Sequence, residues 1–159
     1  MLWLMSWLVF PLRRRKLRLR VRYSSDTTYE LVRAHETDAG VDLVANEDVN
    51  IMAGSRHLVK TGFRVELPAG TVGLVCPRSG LAAKHGTTVL NAPGVIDEGY
   101  AGEIAVNLVN LGKSAHMVTK GDRIAQLVVL PVLTPTLERV ESVSTDTSRG
   151  TNGHGSTGY

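Results

Sequence analysis

Val59-Lys60-Thr61-Gly62-Phe63-Arg64-Val65-Glu66-Leu67-Pro68-Ala69-Gly70-Thr71-Val72-Gly73-Leu74-Val75-Cys76 decides the fold class. Val59, Phe63, Val65 and Leu67 share one parity, and Lys60, Arg64 and Glu66 share the other, so the stretch reads as one half-buried strand. Pro68-Ala69-Gly70 ends it as a turn, since proline presets φ and glycine tolerates the backbone that other residues avoid. Thr71 to Cys76 is a second strand, dominated by valine and leucine. Nothing in the stretch has a helical period.

Outward from there the same signals repeat. Lys16 to Tyr23 alternates strictly, with Leu17, Leu19, Val21 and Tyr23 opposite Lys16, Arg18, Arg20 and Arg22. Ile104 to Asn110 and Ile124 to Leu130 are further strands, with shorter ones expected at Val41 to Ala45, Thr87 to Leu90 and Ala115 to Thr119. Turn residues recur about every ten positions, which points to an all-β sandwich or barrel. Only Ser79 to His85 reads as a helix, stopped by Gly86.

A chain of 159 residues fits one domain. Its single cysteine, Cys76, forbids an intrachain disulfide and makes the cytoplasm the default compartment. The net charge of +3 is a local effect: seven of the 18 basic residues lie between Arg13 and Arg22, and the remainder is net acidic. A nucleic-acid binder carries its basic face on the folded body, so stable nucleic-acid binding is not expected. The apolar run from Met1 to Leu12 precedes its basic residues, the reverse of a secretory signal. It is also shorter than the roughly 20 residues of a spanning helix. Residues 1–15 are therefore expected to be a disordered extension without membrane contact, residues 16–141 the β domain, and residues 142–159 a Ser/Thr/Gly arm too polar to hold itself on a core.

Several segments carry chemistry. Gly112-Lys113-Ser114 imitates the end of a phosphate-binding loop, but Asn107 stands where the motif needs glycine, so a hairpin turn is expected. The five histidines are scattered without close pairing, and no protein-ligated transition metal is expected. Pro77-Arg78-Ser79-Gly80-Leu81-Ala82 puts a guanidinium, a hydroxyl and a glycine at a helix start, which suits an anion or merely a serine cap. Asn91 to Tyr100 holds an amide, paired acids and an aromatic in a turn-rich hairpin that can read a base, stack on a sugar and activate water, or be no more than polar. Asp38-Ala39-Gly40-Val41-Asp42-Leu43 sets two acids around a glycine, and Gly121-Asp122-Arg123-Ile124-Ala125-Gln126 opens a strand with polar groups. Arg149 to Gly158 can wrap phosphates or be a disordered tail.

Taken in order, these segments resemble the five motifs of the trimeric dUTPase family: Asp38 to Ala45, Pro77 to Ala82, Asn91 to Glu103, Gly121 to Gln126 and Arg149 to Gly158. The resemblance implies a jelly-roll-like β-barrel with a mobile C-terminal arm, a homotrimer with shared active sites, and hydrolysis of dUTP to dUMP and pyrophosphate. In that role it keeps uracil out of DNA and supplies dUMP for dTMP synthesis. It implies that Asp97 activates the attacking water and that Tyr100 packs on the deoxyribose. Asn91 and the hairpin backbone at Gly94, Val95 and Ile96 then read uracil. Arg78, Ser79, Gly80 and Gln126 contact the phosphates, and Asp42 holds Mg²⁺ through water. In the arm, Arg149, Ser156 and Thr157 meet the γ-phosphate, while His154, beside Gly155, stacks on uracil. Many relatives carry phenylalanine where His154 stands, and the N-terminal extension has no counterpart in the motifs. A dCTP deaminase of the same fold would show an R-S-S-x-A-R pattern, whereas Gly80 follows Ser79 here. A catalytically idle regulatory relative would lack the acid or the arm arginine, and Asp97 and Arg149 are both present.

Overall fold

Antiparallel pairing organises the computed structural model, which describes residues 19–152. The expectations placed on residues 1–18 and on His154, Gly155, Ser156 and Thr157 lie outside the described residues. The elements run β1 (Arg22–Ser25), β2 (Gly40–Val44), β3 (Val49–Ile51), β4 (Arg56–Lys60), β5 (Phe63–Glu66), β6 (Thr71–Cys76), α1 (Ser79–His85), β7 (Thr87–Val89), β8 (Gly94–Ile96), β9 (Ala105–Asn110), β10 (His116–Val118) and β11 (Arg123–Pro131). A four-stranded sheet β2-β11-β6-β8 and a three-stranded sheet β4-β9-β7 are joined by the pairs β1-β5 and β10-β3. Leu43, Val75 and Leu127 of the first and Val59, Val106 and Leu108 of the second meet in one buried cluster with Phe63 and Ile124. Among the described residues the fold is all-β with one short helix, as the periodicity predicts.

The stretch from Val59 to Leu67 is two strands rather than one. It turns at Gly62 (φ 76°), so that β4 pairs with β9 and β5 with β1. Four hydrogen bonds hold the corner. Buried Thr61 donates to the Ile104 carbonyl and accepts from Phe63 N–H at 3.2 Å. Gly62 N–H reaches the Glu103 carboxylate at 2.8 Å, and its carbonyl accepts from Asp26 N–H at 2.8 Å. The shared parity survives because Val59, Phe63 and Val65 all enter the core from either side of the corner. Burying Phe63 alone contributes about 2–3 kcal/mol, against a glycine entropy cost of about 1 kcal/mol.

The strand expected from Lys16 begins only at Arg22 among the described residues. Its partner β5 runs from Ser25↔Phe63 to Arg22↔Glu66, and Pro68, which lacks an N–H, follows shortly after. Leu19 to Val21 therefore have no ladder to join, although Val21 still packs on the core and Tyr23 meets Phe63 edge-on at 6.2 Å. β3 and β8 are not among the strands expected from the sequence: each is three residues long and lies inside a segment crowded with turn and polar residues, Asn46-Glu47-Asp48 before β3 and Asn91-Ala92-Pro93 before β8. β11 carries an irregularity between Arg123 and Ala125, where Ile124 and Ala125 are both buried in succession. A bulge of this kind breaks alternation and turns the preceding side chain to a new direction.

Gly112-Lys113-Ser114 is a turn, and Asn110 builds it. This wholly buried amide donates to Ile51 O (2.8 Å) and Ser114 O (2.9 Å) and accepts from Gly112 N–H (2.9 Å). Gly112 also lies against the αL backbone of Gly86, where a side chain on Gly86 would come within 2.7 Å of Gly112 N. Asn110→Ala strands three backbone groups. It should cost about 3 kcal/mol, seen as a melting temperature lowered by about 10 °C at fixed protein concentration.

Candidate active site

The hairpin following β7 forms the first cleft. β8 is laid against β6 in the register Gly94↔Val75, Val95↔Leu74 and Ile96↔Gly73, which presents Asn91, Gly94, Val95, Ile96, Asp97 and Tyr100 around a cleft of about 360 Å³. The bond before Pro93 is cis. The paired acids of the hairpin divide their work. Glu98 accepts the Gly70 N–H at 2.7 Å and so ties the hairpin to the β5–β6 turn, whereas Asp97 is exposed and lines the cleft. A carboxylate in that position can accept a proton from a fixed water. Tyr100 is 45% exposed, and its hydroxyl donates to the Glu103 carbonyl at 2.9 Å.

A second cleft of about 390 Å³ lies at the other edge of the same sheet, lined among others by Asp38, Asp42, Arg78, Ser79, Gly80 and Gln126. Asp42 is clasped between two guanidiniums, Arg78 Nε at 3.0 Å and Arg123 at 3.4 Å. Arg123 was not singled out in the sequence; the bulge in β11 is what accompanies its approach to Asp42, and only the polar opening of Gly121 to Gln126 hinted at it. Arg78 and Arg123 offer planar donor forks suited to phosphate oxygens, while Asp42 and Asp38 balance their charge within the cleft. Arg78, not Ser79, is the N-cap of α1, and its side chain also donates to Arg123 O at 3.1 Å. Gln126 is tied down as well: its amide donates to Pro77 O at 2.9 Å, and a side chain on Gly40 would meet its carbonyl oxygen at 2.4 Å.

The two clefts do not meet within one chain. β2 and β8 are the two edges of the four-stranded sheet, three strand spacings or about 14 Å apart. Along the strands Asp42 is level with Cys76, while Asp97 lies beyond the Ile96↔Gly73 pair, some 13 Å away. Arg149 lines neither cleft; it closes a local turn by donating to Asn152 O at 3.0 Å.

Comparison with known proteins identifies the assembly of these segments. The family model described as dUTPase matches residues 29–158. The chain belongs to the dUTPase family. A deoxyuridine 5'-triphosphate nucleotidohydrolase of Rhodococcus erythropolis is 56% identical over 127 residues, covering 79% of this chain and 77% of its own. One from Clostridium novyi is 46% identical over 142 residues, covering 89% and 99%. Among solved structures, the dUTPase of Staphylococcus bacteriophage 80alpha with dUPNHPP superposes with a TM-score of 0.78 at 30% identity, covering 88% of this chain and 99% of that one. The dUTPase of phage phi11 of S. aureus, described with a structural Mg(II) ion, superposes at 0.69 with 30% identity over 78% of this chain and 97% of that one.

For a metal, the donor set of this dUTPase family chain is lean. Among the described residues no three His, Cys, Asp or Glu side chains cluster. Asp42 is shared with two guanidiniums, and Asp38 accepts His35 N–H at 2.9 Å. Such a set fits a hydrated cation arriving on an anionic ligand, not one caged by protein oxygens.

The histidines are not all scattered. His85 at the end of α1 and His116 of β10 stack with centroids 4.4 Å apart and planes 10° off parallel, and His116 Nδ1 lies 2.6 Å from Thr87 Oγ1. Sequence separation hid the pair; the β10–β3 pairing and the Gly86–Gly112 contact bring it together. Burial, and then the neighbouring His85, push the His116 pKa below its usual 6.5, with Asp122 opposing weakly. Folding thus favours the neutral ring, so the unfolded chain takes up the proton first as pH falls. Stability is full above about 6.5, declines below it, and levels off once the folded ring is also protonated. The melting temperature should fall as the pH drops below about 6.5, and His116→Phe, which keeps the stack without the titration, should flatten that decline.

Proposed function

We propose that this chain hydrolyses dUTP to dUMP and pyrophosphate as a homotrimer, each site joining the hairpin cleft of one copy to the arginine cleft of another. The separation of the clefts carries this reading. A water activated by Asp97 must come within about 3–3.5 Å of a phosphorus held by Arg78, and one chain keeps the two elements some four times further apart. Met52, Leu58, Leu111 and Met117 are each more than half exposed on the body, and Leu133 and Leu137 are 91% and 92% exposed on the segment after β11. Apolar surface of that extent fits burial against further copies.

In this reading Asn91 and the backbone of Gly94 to Ile96 recognise uracil, and Tyr100 packs on the deoxyribose. Arg78, Ser79, Gly80 and Gln126 hold the triphosphate in the arginine cleft. The Asp42 clasp holds both guanidiniums in place before the substrate arrives, so little of their binding is lost to ordering. Asp42, through water, would hold the Mg²⁺ that accompanies the triphosphate, and the ion would supply neutralisation of phosphate charge there. Asp97 takes the proton of the water that attacks the α-phosphorus, and no covalent enzyme intermediate is needed. The arm from residue 142 onward, with Arg149, His154, Gly155, Ser156 and Thr157, closes over the site. The bound dUPNHPP of the phage 80alpha enzyme and the names of the bacterial relatives support dUTP as the substrate.

Pyrophosphate release from dUTP, dCTP, dTTP and UTP, with and without Mg²⁺, tests the reading. Release should be selective for dUTP and dependent on Mg²⁺; equal rates on dCTP or UTP contradict it. Asp97→Asn should keep assembly and dUTP binding while turnover falls by about 10³-fold or more. Removing residues 149–159 should leave the melting curve unchanged and collapse turnover, whereas a fully active truncation removes the arm from the mechanism.

A further inference from the structure

Tyr100 is not simply placed in the cleft; its ring is folded back over the backbone of Gly102. A Cβ built on Gly102 would stand 2.5 Å from the Tyr100 hydroxyl, 2.6 Å from Cζ and 3.0 Å from Cε2, so any side chain there collides with the ring. Gly102 has no left-handed φ, hence its backbone alone does not demand glycine. Nor can that backbone retreat. On its C-terminal side the Glu103 carboxylate accepts Gly62 N–H at 2.8 Å, and the buried Ile104 donates to Phe63 O at 2.8 Å and accepts from Thr61. On the N-terminal side the turn is closed by Tyr100 N–H to Asp97 O at 3.1 Å. The ring is the one part able to yield: it is partly exposed and anchored at its tip by the 2.9 Å bond to Glu103 O.

We propose that Gly102 is a specificity-positioning residue: its missing side chain is the space that holds the Tyr100 ring at the angle needed to distinguish deoxyribose from ribose. The proposal rests on the reading of Tyr100 as the residue that packs on the sugar. The Glu103 carbonyl fixes the hydroxyl end, the Asp97–Tyr100 turn fixes the Cα end, and Gly102 sets how far the ring lies back between them. Adding a methyl group there tilts the ring and breaks its tip bond, while the core beneath, clamped through Thr61 and Gly62, stays as it was. A tilted ring no longer fits against the sugar, and the room to exclude a 2′-hydroxyl changes with it.

The test is a cycle of Gly102→Ala, Tyr100→Ala and the double variant in the full chain, reading kcat/KM for dUTP and for UTP. Gly102→Ala should lower the dUTP/UTP ratio by about 10-fold or more, since misplacing a positioning group by 1 Å can cost about 10²-fold. A defect in folding alone would instead lower both substrates together. In the Tyr100→Ala background, where no ring remains to displace, adding Gly102→Ala should change nothing further. An unchanged ratio in Gly102→Ala, or the same loss in both backgrounds, overturns the proposal. A folding loss in the single variant that Tyr100→Ala restores shows the collision with the ring, and the dUTP/UTP ratio of the folded fraction then decides; a loss that Tyr100→Ala does not restore overturns the proposal. A Tyr100→Ala variant that keeps the full dUTP/UTP ratio would instead sink the sugar reading itself.

Discussion

β6 is hydrogen-bonded along one edge to β11 and along the other to β8, and this ladder holds the two clefts apart. Everything chemical hangs from it. The hairpin with Asp97 is anchored through Gly94 to Ile96 on one side, and the Arg78 helix leaves its C-terminal end on the other side of the same strand. A sheet of paired backbone amides is stiff, so the spacing between the clefts is a constant of the fold rather than a variable of its dynamics. A single copy cannot close it, and for that reason the proposed reaction is tied to assembly.

Each cleft is prepared before any ligand arrives. In the arginine cleft, Asp42 fixes the positions of two guanidiniums, while Gln126 spends its amide on Pro77 O to hold the approach to Arg78. In the hairpin cleft, Glu98 is consumed by the Gly70 N–H and Tyr100 is tied at its tip; of the two acids on the cleft wall, Glu103 is held by the Gly62 N–H and Asp97 stands exposed. Neighbouring residues of like type thus have different duties, set by which backbone group lies in reach. The corner at Thr61 and Gly62 connects the two levels of organisation: it turns the chain between sheets and braces the Glu103 segment on which Tyr100 rests.

Much of this was legible in the sequence because the deciding signals are local. β6 and α1 have the predicted bounds, since Pro68-Ala69-Gly70 and Gly86 stop the chain by their own backbone preferences. The motif residues could be named because the dUTPase-like pattern is carried by contiguous segments. What the sequence hid depends on partners far along the chain. The break at Gly62 preserves side-chain parity and so leaves no trace in the period. The start of β1 is set by the length of β5, the recruitment of Arg123 goes with a bulge, and the stacked His85 and His116 are 31 positions apart. Gly102 reads as one more turn glycine until the Tyr100 ring is seen above it.

The claim that each site is shared between copies has one direct measurement. Asp97→Asn chains carry an intact arginine cleft, and Arg78→Ala chains an intact hairpin; each variant alone should be nearly inactive on dUTP. Co-expressed and purified as mixed assemblies, they should regain turnover, because in each mixed trimer about one shared site in three combines two intact halves. A mixture as inactive as its parents, with mixed assemblies verified by mass, would show that each chain builds its site alone and would contradict the account.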